Sequence, residues 1–266
     1  MARNIYQIDA FTSQPFYGNP AAVCITDKKP SARLMQNIAM EMNLSETAFI
    51  YPGESCYMIR FYTPESEVPL CGHATLSSAH IMYETGIADK RQEIVFLSKS
   101  GKLRARFEKG WIVLNFPSFK VTPVSIPEQF IKITGIKPEE LYHSDSGHGW
   151  TLALYKNEDE IRNLKPDFKA MKNSDFADLI VTSPSSDPLF DFCVRCFAPA
   201  VGINEDPVTG SAQCILVPFW HNKTGKIEFL SKQVSKRSGI LKSFLRGNRV
   251  EISGQARTIF KAEMFV

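Results

Sequence analysis

No stretch of this 266-residue chain approaches the roughly 18 consecutive apolar residues that a membrane-spanning helix needs. Neither G-x-G-x-x-G nor G-x-x-x-x-G-K-[ST] occurs, so no loop that cradles phosphates is present and no nucleotide cofactor is implied. G-x-S-x-G is missing too, and Ser211 has no identifiable His/Asp relay, which leaves a covalent hydrolase without support. Charge of one sign is also scarce: 31 Lys and Arg against 28 Asp and Glu leave a formal +3. The lysines are scattered, as in KPSAR, SKSGK and SKQVSKR, and no basic run marks a nucleic-acid footprint. The opening MARNIYQIDAF is strand-like and lacks the apolar segment of a signal peptide. These absences point to the cytoplasm, with neither membrane nor nucleic acid among the partners.

Metal-ligand spacing is equally thin. The six cysteines, at 24, 56, 71, 193, 196 and 214, sit mostly inside apolar stretches and read as reduced thiols. Cys193 and Cys196 form a C-x-x-C, but in a strand positions three apart face opposite sides, and no second pair follows at zinc spacing. His80, His143, His148 and His221 have no convincing ligand spacing, HSDSGHG included. No metal is expected.

What is present is a globular composition, 44% hydrophobic and 22% charged, in a chain long enough for one large domain or two ordinary ones. The chain also echoes itself. IRFYTPESEVPLCGHATLSSAHIMYETG, residues 59–86, matches VRCFAPAVGINEDPVTGSAQCILVPFWHNKTG, residues 194–225. Arg60 and Pro64 correspond to Arg195 and Pro199, and after a short insertion Gly72 and Ala74 correspond to Gly210 and Ala212. Downstream, IVFLSKSGKLRARF from Ile94 matches IEFLSKQVSKRSGILKSF from Ile227; a looser match joins AAVCIT…NLSETAFI to TLALYK…ADLIV. The repeat predicts two similar lobes, 1–118 and 124–266, joined by the proline-rich FPSFKVTPVSIPEQF.

Within each lobe the pattern implies short strands, one outer amphipathic helix (PSARLMQNIAMEMN in the first), and one central helix apolar on several sides. The central helices are HATLSSAHIMYETG and AQCILVPFWHNKTG, each ending in glycine, with Pro218 a possible distortion of the second. The expected fold is therefore α+β, with a curved, mostly antiparallel sheet wrapped round a central helix in each lobe.

Both central helices begin with glycine and small residues, CGHAT and TGSA. Free N–H groups and the helix dipole make such starts receptive to an anion, and Gly72 and Gly210 let a ligand approach the backbone. Ordinary capping by Thr209, Ser211 or Asp206 is the competing reading. Glu46, in the loop NLSETAFI, is a candidate proton carrier or simply a capping partner; His73 is a candidate acid/base or a structural histidine. Asp206 either serves a substrate or caps its turn.

DAFTSQPFYGNPAAV, NLSETAFI, RFYTPESEVPLCGHATL and NEDPVTGSA together resemble the PhzF-like phenazine biosynthesis family, from about Ile5 to Ala256. The resemblance implies the diaminopimelate epimerase-type fold, an active site between two pseudo-symmetric lobes, frequent homodimers, and cofactor-free isomerisation of a small carboxylate-bearing substrate. It implies Glu46 as general acid/base, His73 and Asp206 as its neighbours, and Asn19, Gly72, Thr209, Gly210 and Ser211 as substrate-binding positions. The CGHAT segment departs from the phenazine isomerase itself. Epimerases of this fold use two cysteines; Cys71 occupies one such position but Thr209 the other, and a threonine hydroxyl is far too weak an acid to replace a thiol. Epimerisation of an amino acid-like substrate, and binding without turnover, remain alternatives.

Overall fold

In the computed structural model, which describes residues 3–147 and 149–266, the alternating segments of the first part of the chain form a mixed sheet. Its elements are β1 (Arg3–Ala10), β2 (Asn19–Ile25), α1 (Ala32–Met42), β3 (Glu46–Pro52), β4 (Tyr57–Tyr62), β5 (Glu67–Val68), α2 (Gly72–Glu84), β6 (Ile94–Ser98), β7 (Gly101–Glu108) and β8 (Trp111–Pro117). Neighbouring hairpins are antiparallel, but β2 pairs with β3 in parallel across α1, and β4 with β6 in parallel across α2.

The two helices differ as their sequences suggest. In α1 the Ser31 side chain accepts from Leu34 N–H, Asn43 ends the helix in the left-handed region, and only the stripe Met35, Ile38 and Ala39 is buried. In α2, ten of thirteen residues are buried, among them Leu76, Ile81 and Met82. Each such side chain contributes about 1.5–3 kcal/mol by leaving water. The interleaved Ala74, Ser77, Ser78 and Ala79 are small enough for strands to close in, and β1, β2 and β3 all pack on this helix.

The second part builds β9 (Val121–Val124), α3 (Glu128–Thr134), β10 (Glu140–Ser144), β11 (Thr151–Leu154), α4 (Glu158–Asn163), α5 (Phe168–Lys172), β12 (Leu179–Pro184), β13 (Phe192–Ala198), β14 (Ile203–Asp206), α6 (Gln213–Thr224), β15 (Glu228–Gln233), β16 (Gly239–Arg246), β17 (Arg249–Gly254) and β18 (Ala256–Met264). Pairing follows the same order: β10–β11 antiparallel, β11–β12 parallel, β12–β13 antiparallel, β13–β15 parallel across α6, β15–β16 antiparallel. Arg60 pairs with Glu67 on the short strand that follows it, and Arg195 pairs with Glu205 in the same way. The helix α6 runs through Pro218, which has no N–H to offer the carbonyl of Cys214; the N–H of Phe119 takes that carbonyl instead, at 2.9 Å.

Two expectations need correction. The chain divides into one unit made of residues up to Asn115 together with Ser253–Val266, and another made of Phe116–Ile252. The last strand, β18, therefore belongs with the first unit, where it pairs antiparallel with β1 from Arg3↔Met264 to Ala10↔Ala256. In the second unit the corresponding place beside β10 is taken by β9, built from part of the proline-rich join. Pro123 of this short strand stands opposite Tyr142 of β10.

The second correction concerns register. Tyr57 stands beside Phe96, and its counterpart Phe192 stands beside Ser231. Phe96 thus corresponds to Ser231 and Ser98 to Gln233, two residues away from the match read from Ile94 and Ile227.

Candidate active site

Three elements of the first unit bring their starts together. β3 begins at Glu46, whose partner on parallel β2 is Ala21, two residues beyond the buried Asn19 that opens that strand. α2 begins at Gly72, with Cys71 as an extended N-cap residue whose side chain is not spent on capping. His73, on the first turn, points its ring at both. Its Nε2 lies 3.2 Å from Glu46 Oε2 and 3.4 Å from Ser45 Oγ; its Nδ1 lies 3.4 Å from Cys71 Sγ.

The Glu46 and His73 side chains are 15% and 9% exposed, so both are largely out of water yet still reachable. Their approach has ion-pair distance without hydrogen-bond alignment, and Glu46 Oε2 is buried with no hydrogen-bond partner among the described residues. An acceptor in that condition is costly to a fold unless a ligand or water uses it. At the helix start, Thr75 N–H is the first to bond back, onto Cys71 O, so the N–H groups of Gly72, His73 and Ala74 have no intrahelical partner. A Cβ at Gly72 would meet nothing within 4 Å.

The corner EDPVTGSA lies in the second unit and is built differently from its reading. Gly210 and Ser211 do not open α6, which starts at Gln213. Instead, Gln213, Cys214 and Ile215 donate to the carbonyls three residues back, on Gly210, Ser211 and Ala212, a tighter winding than the helix proper. Thr209 does not cap a helix: its hydroxyl donates to Asp206 Oδ2, and its N–H donates to Gln233 Oε1 at 2.7 Å. Gln233 Nε2 in turn donates to Asp206 O at 2.7 Å. Thr209 is buried and Ser211 exposed.

Several participants have no signal in the sequence. Ser45 stands inside the NLSETAFI motif but carries no recognisable role there. Gln233 braces the corner from a strand distant in sequence, and only the corrected register makes it the counterpart of Ser98. A separate pairing places Asp178, just before β12, as the counterpart of Glu46: Phe49 pairs with Arg60, and Val181 with Arg195.

Other candidates resolve as structural. None of the six cysteines is in a disulfide. Cys193 Sγ donates to Glu158 Oε2 at 3.1 Å, and burial above all, with Glu158 beside it, pushes its pKa up to about 12. Cys196 is buried, and that burial raises its pKa too. Among the described residues, His143 belongs to no group of side chains placed to hold a metal ion, and His148 lies outside them. An open depression of about 460 Å³ lined by Pro123, Ile126, Glu140, Tyr142 and Lys223 contains none of the candidate residues. Its polar groups are engaged with one another, Lys223 Nζ lying 2.7 and 2.6 Å from the two Glu140 oxygens.

The same architecture recurs in known proteins. The family profile PhzC-PhzF, a phenazine biosynthesis-like protein, matches residues 8–262. An uncharacterized isomerase of Halalkalibacterium halodurans is 45% identical over 267 residues, covering 100% of both chains. A phenazine biosynthesis protein of the PhzF family from Enterococcus faecalis has a TM-score of 0.95 at 36% identity, over 100% of both chains. A predicted epimerase from Pseudomonas aeruginosa, at 18% identity, has a TM-score of 0.75 over 99% of both chains and shows the fold alone. The fold is thus α+β of the diaminopimelate epimerase type. Within that class, the chain belongs to the phenazine biosynthesis-like PhzF family. Among the described residues, no helix is long and apolar enough to cross a membrane.

Proposed function

We propose that this protein is a cofactor-free isomerase that moves a proton, and with it a double bond, within a small carboxylate-bearing substrate. The observation that carries the reading is the Glu46–His73 pair: a largely buried carboxylate oxygen without a hydrogen bond, 3.2 Å from an imidazole. Glu46 takes a proton from carbon next to an unsaturated or carbonyl group. The electron pair left behind becomes the new double bond, and the proton returns from Glu46 to a second carbon. Nothing is oxidised or reduced. A carboxylate held on a strand end can serve both carbons only if the substrate is fixed, because proton transfer demands hydrogen-bond distance at each.

The N–H groups of Gly72, His73 and Ala74 suit the substrate's carboxylate, with no Cβ at Gly72 to obstruct it. His73, 3.2 Å away, orients Glu46 between the two proton transfers. Asn19, Asp206, Thr209, Gly210 and Ser211 are assigned to substrate binding and assistance on the strength of the family resemblance. The isomerase name of the 45% identical relative supports the same class of reaction. A second reading, epimerisation at one carbon, draws on the 3.4 Å contact between Cys71 and His73, which gives the thiol a base.

The deciding experiment is NMR in deuterated buffer, with wild type and Glu46→Gln presented with cyclic and amino-bearing carboxylates first shown to bind. Deuterium uptake with double-bond migration, lost in Glu46→Gln, is the expected result. Uptake with inversion at a single carbon moves the assignment to epimerisation. Bound ligands that neither protein exchanges overturn the enzyme reading and leave a binding module.

A further inference from the structure

The proton shuttle needs Glu46 and His73 but gives no reason for a cysteine at their side. One ligand atom from each of Glu46, Cys71 and His73 lies within 4.8 Å of the other two. We infer that these three side chains form a binding site for one borderline-soft divalent cation, Zn²⁺ or its analogues Co²⁺ and Cd²⁺, whose binding blocks proton transfer. The blockade rests on Glu46 being the proton carrier; the binding does not.

Thiolate, imidazole and carboxylate are the donors that Zn²⁺ takes, whereas Mg²⁺ and Ca²⁺ require shells of oxygen. Tetrahedral bonds of the usual lengths to such donors place neighbouring ligand atoms about 3.3–3.7 Å apart. Two edges of the cluster are near that range: 3.2 Å from Glu46 Oε2 to His73 Nε2, and 3.9 Å from Cys71 Sγ to the same nitrogen. The third edge is no longer than 4.8 Å, so contraction by at most about 1 Å completes three corners and leaves a fourth for water. Each ligand sits where a regular element begins, so that contraction falls on side-chain torsions.

The charges also balance. One thiolate and one carboxylate neutralise the ion, with the imidazole neutral, and no lysine or arginine forms an ion pair with Glu46 among the described residues. A cation seated there takes the Glu46 lone pair that the proposed reaction uses.

The test is a Co²⁺ titration of chelator-stripped protein, anaerobic and with a thiol-free reductant, followed by absorbance. One equivalent should develop tetrahedral Co²⁺ bands with a thiolate-to-metal charge-transfer band, and Zn²⁺ should displace it. Cys71→Ser should abolish the charge-transfer band; serine is favoured at an N-cap, so the helix start survives. His73→Gln should weaken Co²⁺ binding by about tenfold or more, and it stands in if Cys71→Ser does not fold. Cys56→Ser, which changes a partly exposed cysteine in the turn after β3, should leave the band unchanged. Folded wild type with no charge-transfer band overturns the proposal, as does a band that survives Cys71→Ser or disappears in Cys56→Ser. Zn²⁺ inhibition of deuterium exchange, reversed by chelator, then tests the blockade apart from the binding.

Discussion

His73 reaches Glu46 at 3.2 Å from the first turn of a helix, while Glu46 is the first residue of a strand. Both groups are set by backbone positions rather than by a mobile loop, which suits a pair that must hold its geometry through proton transfer. His73→Gln keeps a polar side chain but loses the imidazole. Exchange should fall by about 10²- to 10³-fold with a smaller change in KM, and the melting temperature should hardly move. A histidine with only a packing role would give the reverse, an unchanged rate and a lowered melting temperature.

Gly18 controls how Asn19 enters β2. Its φ is +70°, and a Cβ there would lie 2.1 Å from the carbonyl oxygen of Ala10, the residue paired with Asn19. Neither the torsion nor the space admits a side chain. Gly18→Ala should cost about 2–4 kcal/mol in urea unfolding, from strain plus overpacking, and should weaken substrate binding through displacement of Asn19. A loss under about 0.5 kcal/mol would mean that the hairpin opens freely.

Much of this arrangement was legible in the sequence because it depends on local chemistry. Helix α1 follows from the 3.6-residue spacing of Met35, Ile38 and Ala39, and α2 from small and apolar residues all round. The repeat was visible from Arg60 and Arg195 onward. The register of β6 against β15 was not, for a physical reason: a slip of two residues leaves every side chain on its proper face, so alternation cannot detect it. The Glu46–His73 approach and the Gln233 brace depend on elements far apart in the chain, and no spacing encodes them. The late start of α6 was hidden for another reason, since Gly210 and Ser211 are as good in a tight turn as in a first helical turn.

The destination of the last strand is another non-local fact, and it can be tested. β18 covers β1 along its whole length, and Ile5 and Ile8 of β1 are buried. Deleting residues 256–266 should strip β1 of one of its two neighbours and expose a sheet edge. We expect the shortened chain to lose several kcal/mol or to aggregate, as judged by urea unfolding and light scattering. If it unfolds within about 0.5 kcal/mol of the full chain, the strand is not an integral part of the first unit.

Glu158 should make acid stability depend on a residue far from the proposed chemistry. Burial by itself would raise its pKa. Donors outweigh that: Cys193 Sγ, then Ser186 N–H and Oγ–H on Oε2, and Arg162 Nε at 2.7 Å from Oε1, which together hold the carboxyl at about 2. The folded pKa lies below the unfolded one near 4.5, so the stabilisation is fully present above about pH 4.5 and fades as pH falls towards 2. The gap corresponds to about 3 kcal/mol at the upper end. Glu158→Gln should reduce stability at neutral pH, because Arg162 and Ser186 lose a charged acceptor, and should flatten the stability curve between pH 4.5 and 2. Unfolding free energies measured across that window decide the point: parallel curves for the two proteins would mean that Glu158 is not the group whose protonation weakens the fold.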